Sequence, residues 1–204
     1  TVTVSVEVTH TNDIENVSML TPKGIVLLEW DSNIDPDTNK YVGRFDMSYN
    51  DTNKTYEVNV SAYDITGLNA NDTAEFEYLE LMAIVFDVSS IAFPTANPSE
   101  SVQIDGDSNM STDTIPTIKN AGNVNVDLEI NGTDLTGAGT INAENITYQF
   151  NDKGFNILTN IVYNYDINLS IDNLIKSDFN LTIPAVSNTG GYSGTISVNA
   201  VSDT

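Results

Sequence analysis

The sequence predicts an all-β protein, an antiparallel β-sandwich or jelly roll. Three observations carry that reading: alternating side chains, closely spaced turn signals, and a near absence of helical periodicity. Val2, Val4, Val6 and Val8 alternate with Thr1, Thr3, Ser5 and Glu7, the pattern of a strand with one apolar and one polar face. Ile25–Trp30, Tyr41–Tyr49, Thr55–Tyr63, Ala74–Leu81 and Ile84–Ser89 read as further strands. In the second half the candidates are Ser101–Ile104, Thr114–Lys119, Val124–Ile130, Asn145–Phe150, Asn160–Ile171, Phe179–Ile183 and Tyr192–Val201. Between them lie the turn formers Thr21-Pro22-Lys23-Gly24, Asn50-Asp51, Thr66-Gly67, Asp105-Gly106, Ala121-Gly122-Asn123, Asn131-Gly132 and Gly190-Gly191. About a dozen short strands at this spacing point to a sandwich or jelly roll. Glu75–Val88 is nearly continuous in apolar residues and competes as a helix.

The chain of 204 residues is long enough for one large β-domain or two small ones. Pro94–Pro98 is a candidate boundary, but neither half repeats the other. The expected organisation is therefore an N-terminal strand and tether over residues 1–12 and one sandwich over 13–204. The valine strand followed by the polar stretch His10–Asn16 has the pattern of a detachable strand on a flexible tether. In its own sheet such a strand closes a sandwich; in a neighbour's sheet it builds a polymer by strand addition. Val2, Val4, Val6 and Val8 are then the assembly residues, and the partners are copies of the same chain.

Charge narrows the classes of partner. Asp and Glu number 29 against 7 Lys and Arg, a formal net charge of −22. Such a field repels nucleic-acid phosphates and anionic lipid, so no nucleic-acid partner is expected. There is no cysteine, which removes disulfides, thiolate metal sites and a cysteine nucleophile. No segment approaches the roughly 20 apolar residues of a membrane helix; the run Leu79–Phe93 is broken by Glu80, Asp87 and two serines. A start at Thr1 without an initiator Met reads as a processed product or an excised fragment.

Asparagine occurs 26 times, and ten of these open an Asn-x-Ser/Thr sequon: Asn16, Asn50, Asn53, Asn59, Asn71, Asn109, Asn131, Asn145, Asn168 and Asn180. Random placement among this many Ser and Thr gives about five, and the motif is the acceptor for N-linked glycans. An Asn/Thr-rich chain makes some sequons by accident, but twice the random number, spread over both halves, points to an extracellular or cell-surface protein.

Two acidic runs have the spacing of calcium ligands. Asp31, Asn33, Asp35 and Asp37 offer an oxygen at every second residue, as at the start of an EF-hand-type loop. Pro36 stands where that loop has Gly and Val42 where it has the bidentate Glu. Asp105 and Asp107, with Asn109 following and Asp113 nearby, repeat the pattern. Solvated acidic loops are the plain alternative at both places, and Asn109 cannot serve as ligand and glycan acceptor together.

Catalytic machinery is hard to assemble from these residues. His10 is the single histidine and falls in the expected tether. Trp30, the single tryptophan, ends an apolar strand and reads as core or strand-end packing rather than as a sugar platform. Gly190-Gly191 is a turn, not a phosphate cradle. The expectation is a protein without enzymatic activity, and the competing non-structural reading is a glycan-binding or adhesive module of a surface layer.

The segment Ile115-Pro-Thr-Ile-Lys-Asn-Ala-Gly-Asn-Val-Asn-Val-Asp-Leu-Glu-Ile-Asn-Gly-Thr-Asp-Leu135 resembles one found in archaeal secreted surface proteins. Its strand, Asn-x-Gly-Asn turn and second strand are similar to those of TasA-type biofilm fibre proteins and archaeal bundling pilins. That resemblance covers about 20 residues, with Thr1–Val8 as the candidate donor strand. It implies a jelly-roll subunit that gives its N-terminal strand to the next subunit, and hence assembly rather than catalysis.

Overall fold

A computed structural model describes residues 1–203. The chain is all-β, every strand pair is antiparallel, and it divides into two compact units, Thr1–Leu79 and Glu80–Thr204. The division falls after Leu79 rather than at Pro94–Pro98, and the first strand lies inside the first unit instead of standing apart from a domain over 13–204. Within residues 75–88 the competing helix is absent.

The first unit contains β1 (Val2–Thr9), β2 (Ile14–Thr21), β3 (Gly24–Leu27), β4 (Glu29–Asp35), β5 (Thr38–Phe45), β6 (Lys54–Asp64) and β7 (Asn69–Tyr78). They form two sheets, ordered β1-β5-β4 and β3-β2-β6-β7. Alternation decides which residues meet between them. Val17 and Met19 of β2 and Val58, Val60 and Ala62 of β6 point inward and bury with Phe45 and Leu28. Val2, Val4, Val6 and Val8 of β1 pack half-buried on the same cluster. Gly43 of β5 permits the close approach of the layers, because a Cβ there would lie 2.8 Å from Met19 Cε.

The second unit contains β8 (Ile84–Phe86), β9 (Ser101–Ile104), β10 (Thr117–Asn120), β11 (Val126–Gly132), β12 (Leu135–Gly137) and β13 (Thr140–Ile141). It continues with β14 (Ile146–Phe150), β15 (Asn156–Ile157), β16 (Tyr163–Leu169), β17 (Leu174–Thr182), β18 (Tyr192–Ser193) and β19 (Ile196–Ser202). The main sheet runs β15-β14-β17-β10-β8 with β9 also on β17; β16-β11-β19 and β13-β12-β18 are separate three-stranded sheets. Inward residues of the main sheet (Ile118, Tyr148, Phe150, Phe179) and of β11 and β16 (Leu128, Ile130, Tyr165, Ile167) share one buried cluster. This is sandwich packing of two sheets over an apolar interior.

The Asn-x-Gly-Asn turn between β10 and β11 is a buried polar joint. Asn120 has no exposed surface. Its Nδ2 donates to the carbonyls of Val124 and Leu169, both at 2.8 Å, and its Oδ1 accepts the Gly122 N–H at 2.8 Å. Gly122 passes so close to the Leu81 carbonyl that a Cβ would sit 2.1 Å from that oxygen. The side-chain amide thus takes the place of ladder partners that the turn removes, as buried polar groups require. Asn120→Ala removes three hydrogen bonds, two of them buried, and is expected to destabilise the second unit by about 2 kcal/mol or more. Urea unfolding with an unchanged slope and a lower midpoint checks this.

Candidate assembly site

β1 pairs with β5 at eight positions, from Val2 opposite Phe45 to Thr9 opposite Thr38. It is the edge of its sheet, so among the described residues one of its two hydrogen-bonding edges has no strand beside it. Its threonines, Ser5 and Glu7 face solvent while the four valines face the core. Polar groups on the outer face and a charge at the edge are common features of edge strands in soluble proteins.

The link from β1 to β2 is four residues, 10–13, rather than the polar stretch His10–Asn16. β2 begins at Ile14, and its outward Asn16, Ser18 and Leu20 alternate with buried Val17, Met19 and Thr21. The link is also held, not loose. The His10 N–H donates to the Asp37 carbonyl at 2.8 Å, and His10 Nε2 lies 2.8 Å from Asn39 Nδ2. Asn12 Nδ2 donates to Asp64 Oδ2 at 2.8 Å, and the Ile65 N–H to the Asp13 carbonyl at 3.0 Å.

Asp64 is the anchor of this arrangement. Besides Asn12, it accepts from Thr66 N–H, Thr66 Oγ1 and Leu68 N–H at 2.7 to 2.9 Å, closing the β6–β7 turn. These donors, Asn12 first, hold its carboxyl well below the ordinary 3.8, at about 2. An open groove lined by Val8, His10, Ile14, Asp64, Leu68 and Ala70 runs beside the link.

The expected calcium loop at Asp31–Asp37 is strand β4 and its turn into β5. Three of the acidic-run side chains have protein partners. Lys40 Nζ lies 3.3 Å from Asp31 Oδ2, Trp30 Nε1 donates to Asn33 Oδ1 at 3.3 Å, and Asp37 N–H donates to Asp35 Oδ1 at 2.9 Å. Extended backbone sets alternate residues about 6.6 Å apart, whereas calcium ligands gather within about 2.6 Å of one ion. In the second run, Asp105 accepts from Gln103 Nε2. Asp107 accepts from Thr117 Oγ1 at 2.6 Å, Thr112 Oγ1 at 2.7 Å and Asn109 N–H at 2.9 Å, and the two hydroxyls, Thr117 first, lower its pKa. In both runs the acidic side chains make local hydrogen bonds or ion pairs.

Sequence reasoning missed a group that only the fold assembles. Carboxylate oxygens of Asp127 on β11, Asp166 on β16 and Asp203 beyond β19 lie within 4.8 Å of one another. Asp127, 5% exposed, accepts Ile167 N–H and Asn168 N–H at 2.9 Å each, where the β11–β16 register shifts. Its first duty is to fill the ladder at that irregularity. Positions so far apart in sequence leave no local signal.

None of the ten sequon asparagines is buried. Asn16, Asn50, Asn71, Asn109 and Asn168 are exposed, and Asn53, Asn59, Asn131, Asn145 and Asn180 half-buried. Trp30 is not core packing. It sits on edge strand β4 and is 59% exposed.

Among the described residues no helix is long and apolar enough to cross a membrane. No protein-family model matches the sequence, and no curated protein does. Among solved structures, the secreted serine protease VesC from Vibrio cholerae is similar with a TM-score of 0.30 and 10% identity, over 98% of this chain and 47% of that one. A likeness at this level carries no argument about activity.

Two outcomes are expected. Because Asp64 is depressed in the folded state, its contribution to stability is complete above the unfolded value near 3.8 and is lost as pH falls toward about 2. Melting temperature followed from pH 5 to pH 2 is expected to fall less steeply in Asp64→Asn than in the parent, from a lower starting point. Calcium titration by calorimetry is expected to find no site at Asp31–Asp37 tighter than about 10⁻⁴ M, with heats unchanged in Asp31→Asn.

Proposed function

We propose that this chain is a structural, non-catalytic subunit of an extracellular filament, in which β1 of one copy takes the place of β1 in the next. The observation that carries this reading is the position of β1: a sheet edge, held by one ladder and four half-buried valines. Withdrawal of β1 breaks no other strand pair, since β5 stays paired with β4. It leaves the inward faces of Tyr41 and Phe45 and the core beneath them uncovered. An identical strand from a second copy restores the same eight pairs in the same register. Such an exchange conserves the local contacts, which is why swapping an element is a low-cost route to association. Full burial of four valines contributes roughly 6 kcal/mol or more before ordering costs, enough to hold a joint that repeats along a fibre.

Charge modulates this assembly. Each copy carries a formal −22, so like-charged subunits repel over the Debye length and screening by salt favours their approach. N-linked glycans on outward asparagines belong to the same reading, and calcium at Asp31–Asp37 is not required by it.

A second reading is favoured by one observation, the exposed Trp30. Exposed aromatic rings stack on sugars, so an adhesive or glycan-binding module would use this edge, and glycan binding lost in Trp30→Ala would support it.

The filament reading is tested by deleting residues 1–9. The truncated chain is expected to stay monomeric under conditions where the parent forms fibres visible by electron microscopy. A synthetic peptide of residues 1–9 is expected to raise its melting temperature without restoring fibres. Fibres of normal repeat from the truncated chain would contradict the proposal.

A further inference from the structure

The outward face of the sheet β3-β2-β6-β7 joins two features that do not belong together on an acidic, solvent-facing surface. Cross-strand pairing sets its residues in rows. Ile25, Leu20, Asn59 and Thr73 form one row, and Leu27, Ser18, Ser61 and Asn71 the next; Asn16 and Tyr63 face one another in a third. Leu20 is 54%, Ile25 75% and Leu27 68% exposed. Three large aliphatic side chains on adjacent strands make a contiguous apolar strip, which soluble surfaces normally cover or use. The other half of the same face carries three complete sequons, Asn16-Val-Ser18, Asn59-Val-Ser61 and Asn71-Asp-Thr73, whose acceptor asparagines all point outward.

We infer that the strip is covered by carbohydrate of this chain itself, an N-linked glycan on Asn59 flanked by glycans on Asn16 and Asn71. The inference rests on the glycosylation that belongs to that reading and is independent of its strand exchange. Asn59 is the direct cross-strand neighbour of Leu20, and Ile25 lies one strand further along the same row. Side chains on neighbouring strands are about 4.8 Å apart, so a short saccharide leaving Asn59 reaches both. The apolar C–H faces of pyranose rings suit aliphatic side chains, while their hydroxyls keep the outer surface wet. Asn59 Nδ2 donates one hydrogen to Glu57 Oε1 at 2.7 Å. Glycosylation replaces only one of the two amide hydrogens, so this bond survives and aims the glycan.

The chemistry is a transfer from a lipid-phosphate-linked oligosaccharide. The Asn59 amide nitrogen attacks the anomeric carbon and a C–N bond forms. The bond from that carbon to the phosphate oxygen breaks. The lipid phosphate leaves with the electron pair, and the amide gives up one proton.

The test uses the protein as secreted by its native cell. Peptide mass spectrometry is expected to find saccharide mass on Asn59 and on Asn16 and Asn71. Asn59→Gln made in the same cell is expected to gain fluorescence with an apolar-surface dye, and Leu20→Thr with Ile25→Thr and Leu27→Thr is expected to abolish that gain. Unmodified Asn59 in the native protein overturns the inference, as does an Asn59→Gln protein that binds no more dye than the parent. A native protein that dimerises through this face with Asn59 bare assigns the strip to a second copy and overturns it as well.

Discussion

An apolar sheet face has to be covered, and in the unit of residues 1–79 the cover of the three-stranded sheet ends at β1. The four valines of that strand pack against the buried cluster that includes Val17, Met19 and Phe45, and one ladder to β5 holds them there. In the proposed assembly this single contact links the stability of the unit to its association. The strand must stay in place to keep water from the core, yet any strand of the same sequence and direction fills the place equally well. Hydrophobic burial has no preference between an intramolecular and an intermolecular strand; concentration and the geometry of the link decide between them.

The link is therefore where the balance is set. Residues 10–13 cross from one sheet to the other and are pinned at two turns, by the Asp37 carbonyl on one side and the Asp64 carboxylate on the other. Short, tethered hinges of this kind hold a strand at home until several hydrogen bonds yield together. Acidic surfaces act in the same sense by keeping copies apart at low ionic strength. The sequon asparagines lie outside the cores of both units, so the proposed glycans would leave the packing beneath β1 untouched.

Much of the fold was legible because strands with one wet face announce themselves by alternation. Thr1–Val8 and Ser101–Ile104 were located almost to the residue, and β6 lies within one residue of Thr55–Tyr63 at each end. β2 was lost in the polar stretch after β1, because its outward Asn16 and Ser18 hide the inward Val17 and Met19. The acidic run from Asp31 reads as a loop, calcium-binding or solvated, for a related reason, and its first half is strand β4. An edge strand tolerates charge on its exposed side, so Asp31, Asn33 and Asp35 are strand residues with the spacing of ligands. Trp30 reads as packing because its neighbours Ile25–Leu28 are apolar, and its place on an edge strand exposes it instead. The Asp127, Asp166 and Asp203 group and the Asn120 joint depend on strands distant in sequence, where no local pattern exists to be read.

The claim that β1 can leave its own sheet for a neighbour's is tested most directly by a disulfide across the ladder. Ser5 pairs with Val42, antiparallel partners sit about 4.5–5.5 Å apart at Cα, and a disulfide spans that distance. The chain has no cysteine of its own, so Ser5→Cys with Val42→Cys gives one defined bond. Oxidised after assembly and run without reductant, this variant is expected to show a ladder of covalent multimers that collapses to monomer on reduction. A single internally crosslinked monomer from assembled material would place β1 permanently in its own subunit and contradict the account.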